Sequence, residues 1–357
     1  MNKKIFLREI RKILLCFIIF LAIMAIIIGI GWALIYKTDD QSKFSIMQTS
    51  NHITYLTFNQ WKNIQSKYFL LVKNHDPRIA LEILRVEVKT NNALSRNCHE
   101  LTHEIGHIAF KKYKTFEKAI QFQDEICNSG YMHGILESYF EENKTTITQA
   151  VHKICLGYKK SNYNAWECYH GIGHGIMFAT NNNVPKSITL CKSLLNNFAY
   201  SACVNGIFMQ NFTTDNFIHP TKYVSKHNYF YPCIQQQYQD MSNCYEYAPI
   251  YFLNLHANSY SQALEWCESA PYLFIASCAS GVGSEMTKQN INNPMLAKII
   301  CSNGPSNVQE PCLRGMINLY ILHYGSLQPA EKFCNKMSNK EKSVCINEIL
   351  SLRQLFL

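Results

Sequence analysis

Cysteine spacing constrains the fold of this chain more than any other feature. Six pairs recur at nearly constant interval: Cys155/Cys168, Cys191/Cys203, Cys233/Cys244, Cys267/Cys278, Cys301/Cys312 and Cys334/Cys345. The separations within pairs are 13, 12 and then 11 four times, and the second members follow one another by 35, 41, 34, 34 and 33 residues. A period in the thirties is the mark of stacked helical hairpins. The surrounding text repeats as well, as in "SQALEWCESAPYLFIASCASGVGSEM" and "LAKIICSNGPSNVQEPCLRGMINLY". One helix ends near the first cysteine, a turn follows, and the second cysteine opens a second helix.

A glycine stands three residues after the second cysteine at Gly130, Gly171, Gly206, Gly281 and Gly315. Glycine inside a helix costs about 1 kcal/mol relative to alanine. Its return at one register therefore predicts close approach of neighbouring helices. Strand signals are scarce. The expected fold is all-α: an α-solenoid of about eight disulfide-stapled hairpins, with TPR- or HEAT-like repeats, behind one N-terminal transmembrane helix.

That membrane helix is expected over residues 13–36, an unbroken apolar run from Ile13 to Tyr36. It is long enough to cross a hydrocarbon core of about 30 Å. A basic tail, residues 1–12, carries Lys3, Lys4, Arg8, Arg11 and Lys12 and belongs on the cytoplasmic side. The run is longer than a cleaved signal's apolar core and ends in Trp32 and Tyr36, which suit a membrane interface. It therefore reads as an uncleaved signal anchor in the cell (inner) membrane. Residues 37–75 form a juxtamembrane linker and helix, 76–180 His-rich repeats, and 181–357 Cys-paired repeats. All of these are placed outside the cytoplasm, in a bacterial cell the periplasm.

Of the 15 cysteines, Cys16 lies in the apolar run, which leaves an even 14. An exported chain favours disulfides. Each within-hairpin bridge closes a loop of about a dozen residues, worth roughly 3 kcal/mol in the chain-entropy treatment. Cys98 and Cys127 have no partner in their own hairpins and are expected to pair with each other. The net charge of +9 is spread without a dense basic block beyond the N-terminus, so no nucleic-acid partner is expected. The expected partners are the membrane, through residues 13–36, and a protein or peptide in the solenoid groove.

Aligned on their leading cysteine, the second helices read "CHELTHEIGH", "CNSGYMHGILE", "CYHGIGHGIMF", "CVNGIFMQNF", "CASGVGSEM" and "CLRGMINLY". His99, His103 and His107 are spaced four apart, as are His170 and His174, and residues four apart share a helix face. Six of the 13 histidines (these five and His133) fall in the first three second helices. Glu100, Glu104 and Glu137 accompany them. Later repeats carry Asn205 and Met209, then Ser280 and Ser284, then Arg314 and Asn318 instead. His52, His75, His152, His219, His227, His256 and His323 read as ordinary hydrogen-bonding residues.

The pattern predicts a divalent-metal site shared by the first three repeats, with His99, His103, His107, His133, Glu137, His170 and His174 as ligands. Glu100 and Glu104 are the candidate catalytic carboxylates. HELTH, residues 99–103, matches the H-E-x-x-H of zinc peptidases, where the Glu is the base. The longer pattern needs a third histidine at 109, which is Ala109; His107 falls one residue after Gly106 instead. Glu100-x-x-His103 and Glu104-x-x-His107 also fit the ligand spacing of di-iron carboxylate bundles. Zinc is the first choice of metal and iron the second. A zinc site would make a hydrolase and two irons an oxidase. The alternative is a non-catalytic protein- or metal-binding scaffold, and a buried polar network is the plain structural reading.

The topology is open to test. A C-terminal reporter that is active only in the cytoplasm is expected to give no signal. A strong signal would overturn both the orientation and the argument for disulfides.

Overall fold

The computed structural model describes residues 58–158, 162–194, 196–213 and 220–356. The expected basic tail, the expected membrane anchor and most of the linker lie outside these residues. Among the described residues the chain forms 17 α-helices, four short 3-10 segments and no strand. None of these helices is long and apolar enough to cross a membrane.

After a leading helix, Phe58–Asn74, that packs on the first of them, eight longer helices carry the architecture. In chain order they are α1 (Cys98–Tyr113), α2 (Ile126–Glu142), α3 (Tyr163–Ala179), α4 (Asn197–Thr213), α5 (Tyr238–Leu255), α6 (Ile275–Gln289), α7 (Ser306–Tyr324) and α8 (Asn339–Leu352). Short helices or a 3-10 turn separate them. Asparagines set several of the starts: the side chains of Asn91, Asn162 and Asn183 accept backbone N–H groups in the first turn of the helices they precede. Such a cap is worth about 1 kcal/mol.

Each long helix packs on the next, α1 on α2 and so on to α7 on α8. In α3, 13 of 17 residues are buried, so this helix is covered on nearly every side. All seven expected cysteine pairs stand at disulfide distance, with Cα–Cα separations from 5.3 to 5.9 Å, Cys98–Cys127 among them.

The recurrent glycines lie where helices cross. A Cβ on Gly206 would stand 2.0 Å from the His170 carbonyl oxygen. On Gly281 it would stand 1.8 Å from that of Glu246, and on Gly315 1.9 Å from that of Ser280. In each case the glycine, three residues after its cysteine, presses on the residue two after the preceding helix's cysteine. Backbone therefore meets backbone, and no side chain fits between.

The array also turns back on itself, which the hairpin period does not announce. Helix α7 packs against α2 as well as against its chain neighbours. Lys288 Nζ reaches Glu100 Oε1 at 2.6 Å, and Arg96 Nε donates to the Gln289 carbonyl at 3.0 Å. Asn292 Nδ2 donates to the Val88 carbonyl at 3.1 Å, and the Tyr163 hydroxyl to that of Leu322 at 3.1 Å. These bonds join α1, α3 and the segment before α1 to the end of α6, the loop after it and α7.

Gly315→Ala is expected to destabilise the protein by about 1–3 kcal/mol, the usual cost of overpacking a tight contact. A Cβ on Gly157 meets nothing within 4 Å, so Gly157→Ala serves as the neutral control. Equal denaturant midpoints for the two variants would contradict the crossing-point account.

Candidate metal centre

The close packing of α1, α2 and α3 sets their histidine faces together. Three groups result whose ligand atoms all lie within 4.8 Å of one another: His99, His103 and His133; His133, His170 and His174; and His103, Glu137 and His174. His133 belongs to the first two, so the groups overlap into one cluster. His99, His133, Glu137, His170 and His174 are each at most 6% exposed.

Hydrogen bonds fix which nitrogen faces inward. His99 Nδ1 lies 2.8 Å from the Cys127 carbonyl oxygen, which can only accept, so Nδ1 carries the proton. His103 Nδ1 donates to Glu137 Oε1 at 2.9 Å. His174 Nδ1 donates to Gln210 Oε1 at 2.8 Å and faces Glu137 Oε1 at 3.5 Å. In a neutral imidazole this leaves the lone pair on Nε2 in all three rings. Yet His99 Nε2 and His103 Nε2 stand only 3.0 Å apart, and His170 Nε2 and His174 Nε2 3.1 Å apart. Each contact needs either a proton on one of the two nitrogens or a metal ion that takes both lone pairs. Two nitrogen donors on a tetrahedral zinc ion are separated by about 3.3 Å.

Other buried nitrogens point the same way. Neither ring nitrogen of His133 has a hydrogen-bond partner, and for His170 the Asn205 side chain is the neighbour that favours its proton. His133 Nε2 is 3.2 Å from Glu167 Oε2, but the contact is not aligned as a hydrogen bond. An orphaned buried polar atom costs about 1–3 kcal/mol. Metal ligation would satisfy these atoms, so the donor set fits an imidazole-loving divalent ion.

Burial pushes the His99, His133 and His170 imidazoles well below their ordinary values, and neighbouring imidazoles push the same way. Burial and then His103 lower His174 to about 4. All four are thus neutral at pH 7, the form that binds metal. Burial acts to raise the Glu137 carboxyl, but His103 and His107 outweigh it and hold it well below the carboxylate range. Glu167 goes the other way, raised by burial and by the Glu125 charge.

The entrance to α2 serves the same cluster. Cys127, Asn128 and Ser129 have φ of 56°, 61° and 53°, three consecutive non-glycine residues in the left-handed region. Each costs about 1–2 kcal/mol there. This turn presents the Cys127 carbonyl to His99.

Six of the residues expected as ligands come together in the three groups. His107 joins none of them; its Nε2 lies 2.6 Å from Glu137 Oε2, so it anchors that carboxylate. Glu100 forms an ion pair with Lys288, whose ammonium it keeps charged against the pull of burial. Glu104 lies beside His107, its carboxylate 4.0 Å from Nδ1 and about a third exposed, on the outer side of the cluster. Sequence reasoning missed Glu167, Gln210 and Lys288. Glu167-x-x-His170 repeats the Glu-x-x-His spacing of α1 and was open to discovery. Nothing in the repeat marks the other two.

Comparison with family models, curated proteins and solved structures finds none that matches this chain. Its function is argued from the site.

The buried imidazoles make a pH prediction for protein kept in chelator. His99, His133, His170 and His174 titrate below their unfolded value of about 6.5. As pH falls through that value, the unfolded chain takes up protons that the folded chain does not, so stability drops. The melting temperature is expected to fall from pH 7 to pH 5, and to fall less in His133→Gln. A drop of equal size in the variant would contradict the assignment of His133 as a buried neutral ring.

Proposed function

We propose that this is a metal-dependent protein whose single His/Glu centre is shared by its first three hairpins, with a hydrolytic enzyme as the reading the geometry supports best. The observation that carries it is the convergence of ligand atoms from α1, α2 and α3 within 4.8 Å of one another. Zinc is the preferred metal because the donors are mostly imidazoles, and iron is second. A zinc-bound water with a pKa lowered to about 7 supplies the nucleophile. Glu100, next to His99 in sequence, is the base of choice. In the oxidase version two irons occupy the overlapping groups. The protein is anchored by residues 13–36 in the inner membrane, with a TPR- or HEAT-like α-solenoid of disulfide-stapled hairpins outside the cytoplasm. The even set of paired cysteines supports that placement.

A second reading is a non-catalytic metal-binding scaffold with a protein or peptide partner. The depth of burial of the cluster favours it, since a fully enclosed ion has no open coordination position.

The shared centre has a specific mutational signature. His103→Ala, His133→Ala and His174→Ala are each expected to lower bound metal to a similar extent, and the double variants to lose little more, because one missing ligand already disables a common site. Metal content by elemental analysis is the readout. Loss in His103→Ala with full retention in His133→Ala and His174→Ala would mean a local H-E-x-x-H site instead. Glu100→Gln is expected to keep the metal and lose hydrolysis.

A further inference from the structure

Two hollows lie side by side near the cluster, sharing two lining residues. The outer one, about 830 Å³, opens at the seam where α7 returns to α2 and is bordered by Arg85, Lys89, Asp124, Asn164, Asn292 and Tyr324. The inner one, about 30 Å³, is walled by His99, Cys127, Met209, Lys288 and Leu319. Ser95 and His323 line both, so these two residues stand between the hollows, where the neck of a passage would lie. His323, an ordinary residue by sequence, is thereby placed between solvent and a residue of the metal cluster.

The inner hollow is small. A cavity of 10–15 Å³ by this measure holds one water, so about 30 Å³ holds a ligand of two or three heavy atoms. Its charge is also set. Lys288 is part of the wall, and its ammonium is bonded to Glu100 with one of three donors and feels the Glu285 carboxylate as well. Among the three candidate metal groups the ligands are imidazoles and a single carboxylate, Glu137. Neutral rings leave most of a divalent ion's charge uncompensated, and an ion's own charge dominates such a site.

We propose that the seam is the access route to the metal centre, that the ligand it admits is a small anion, and that His323 is a positioning residue at the neck. This rests on the metal reading above. The anion would approach on the His99 side, where it meets the ion and the free donors of Lys288 together. Burial lowers the His323 imidazole to about 4, so at neutral pH it is an uncharged ring that does not compete for the anion.

The test uses the full chain loaded with cobalt(II), whose visible absorption reports on its ligands. Formate and its uncharged counterpart of equal size, formamide, are the two probes. Formate is expected to bind saturably and at least tenfold more tightly than formamide. Leu319→Trp, which fills the inner hollow, is expected to weaken formate binding at least tenfold with cobalt content unchanged. His323→Ala, which widens the neck without adding bulk, is expected to speed formate binding severalfold and keeps the test alive if the tryptophan variant does not fold. Ser280→Trp, in a separate polar hollow lined also by Glu246 and Arg314, is expected to leave formate binding unchanged. Equal affinity for formate and formamide would overturn the anionic class. Unaltered formate binding in both Leu319→Trp and His323→Ala would overturn the route. A wild-type chain that binds no cobalt would instead overturn the metal reading itself, and this inference with it.

Discussion

Backbone contact between neighbouring long helices is the constraint on which the rest of the structure depends. It is made at the same residues that carry the candidate metal-binding side chains. A Cβ on Gly134 would stand 2.0 Å from the His103 carbonyl oxygen, and one on Gly206 at the same distance from that of His170. Helices that touch at these points have little freedom to slide or separate. The imidazoles that leave the same backbone positions are therefore held at ligand spacing before any ion binds. Disulfides add a second restraint, since each ties a long helix to its preceding segment. The Cys98–Cys127 bridge is different, because it joins α1 and α2 directly beside His99.

The centre is assembled against considerable local cost. Four buried imidazoles, the half-buried His103 and two buried carboxyl groups, Glu137 and Glu167, share a volume with little solvent, and three residues stand in left-handed conformation to supply one carbonyl. Such arrangements persist where the surroundings over-determine them, and they cluster at functional sites. The outer hydrogen bonds follow a pattern familiar from metal sites, in which a ligating histidine donates its other nitrogen to a carboxylate or carbonyl. Here His99 uses a backbone carbonyl, His103 a carboxylate and His174 an amide oxygen. A plain polar network has no need to leave both nitrogens of His133 without a partner.

Much of this was legible in the chain because it is local. Cysteine pairing inside a hairpin depends on a dozen residues of loop, so a constant interval reveals it. Pairing of Cys98 with Cys127 followed from parity and from the hairpins being neighbours. Convergence of His133 and His174 followed from one register, six residues after Cys127 and Cys168, and the spacing of four within α1 and α3 brought His99, His103 and His170 to the same faces. What stayed hidden depends on distant parts of the chain. The return of α7 to α2 accumulates from small rotations between successive hairpins, and no single repeat encodes it. Lys288 therefore reaches Glu100 across 188 positions without any motif to mark it. Glu104 and His107 share the face spacing of the grouped histidines, yet they lie one turn further along, where Glu137 takes His107 and Glu104 is about a third exposed.

The most direct test of the shared centre is an anomalous difference map. It would come from crystals of protein made in an oxidising compartment, with data taken at the absorption edge of the metal that elemental analysis finds. The account predicts a peak about 2.1 Å from imidazole nitrogens contributed by α1, α2 and α3 together. A peak bound by His99 and His103 alone, or no peak among these helices, would contradict it.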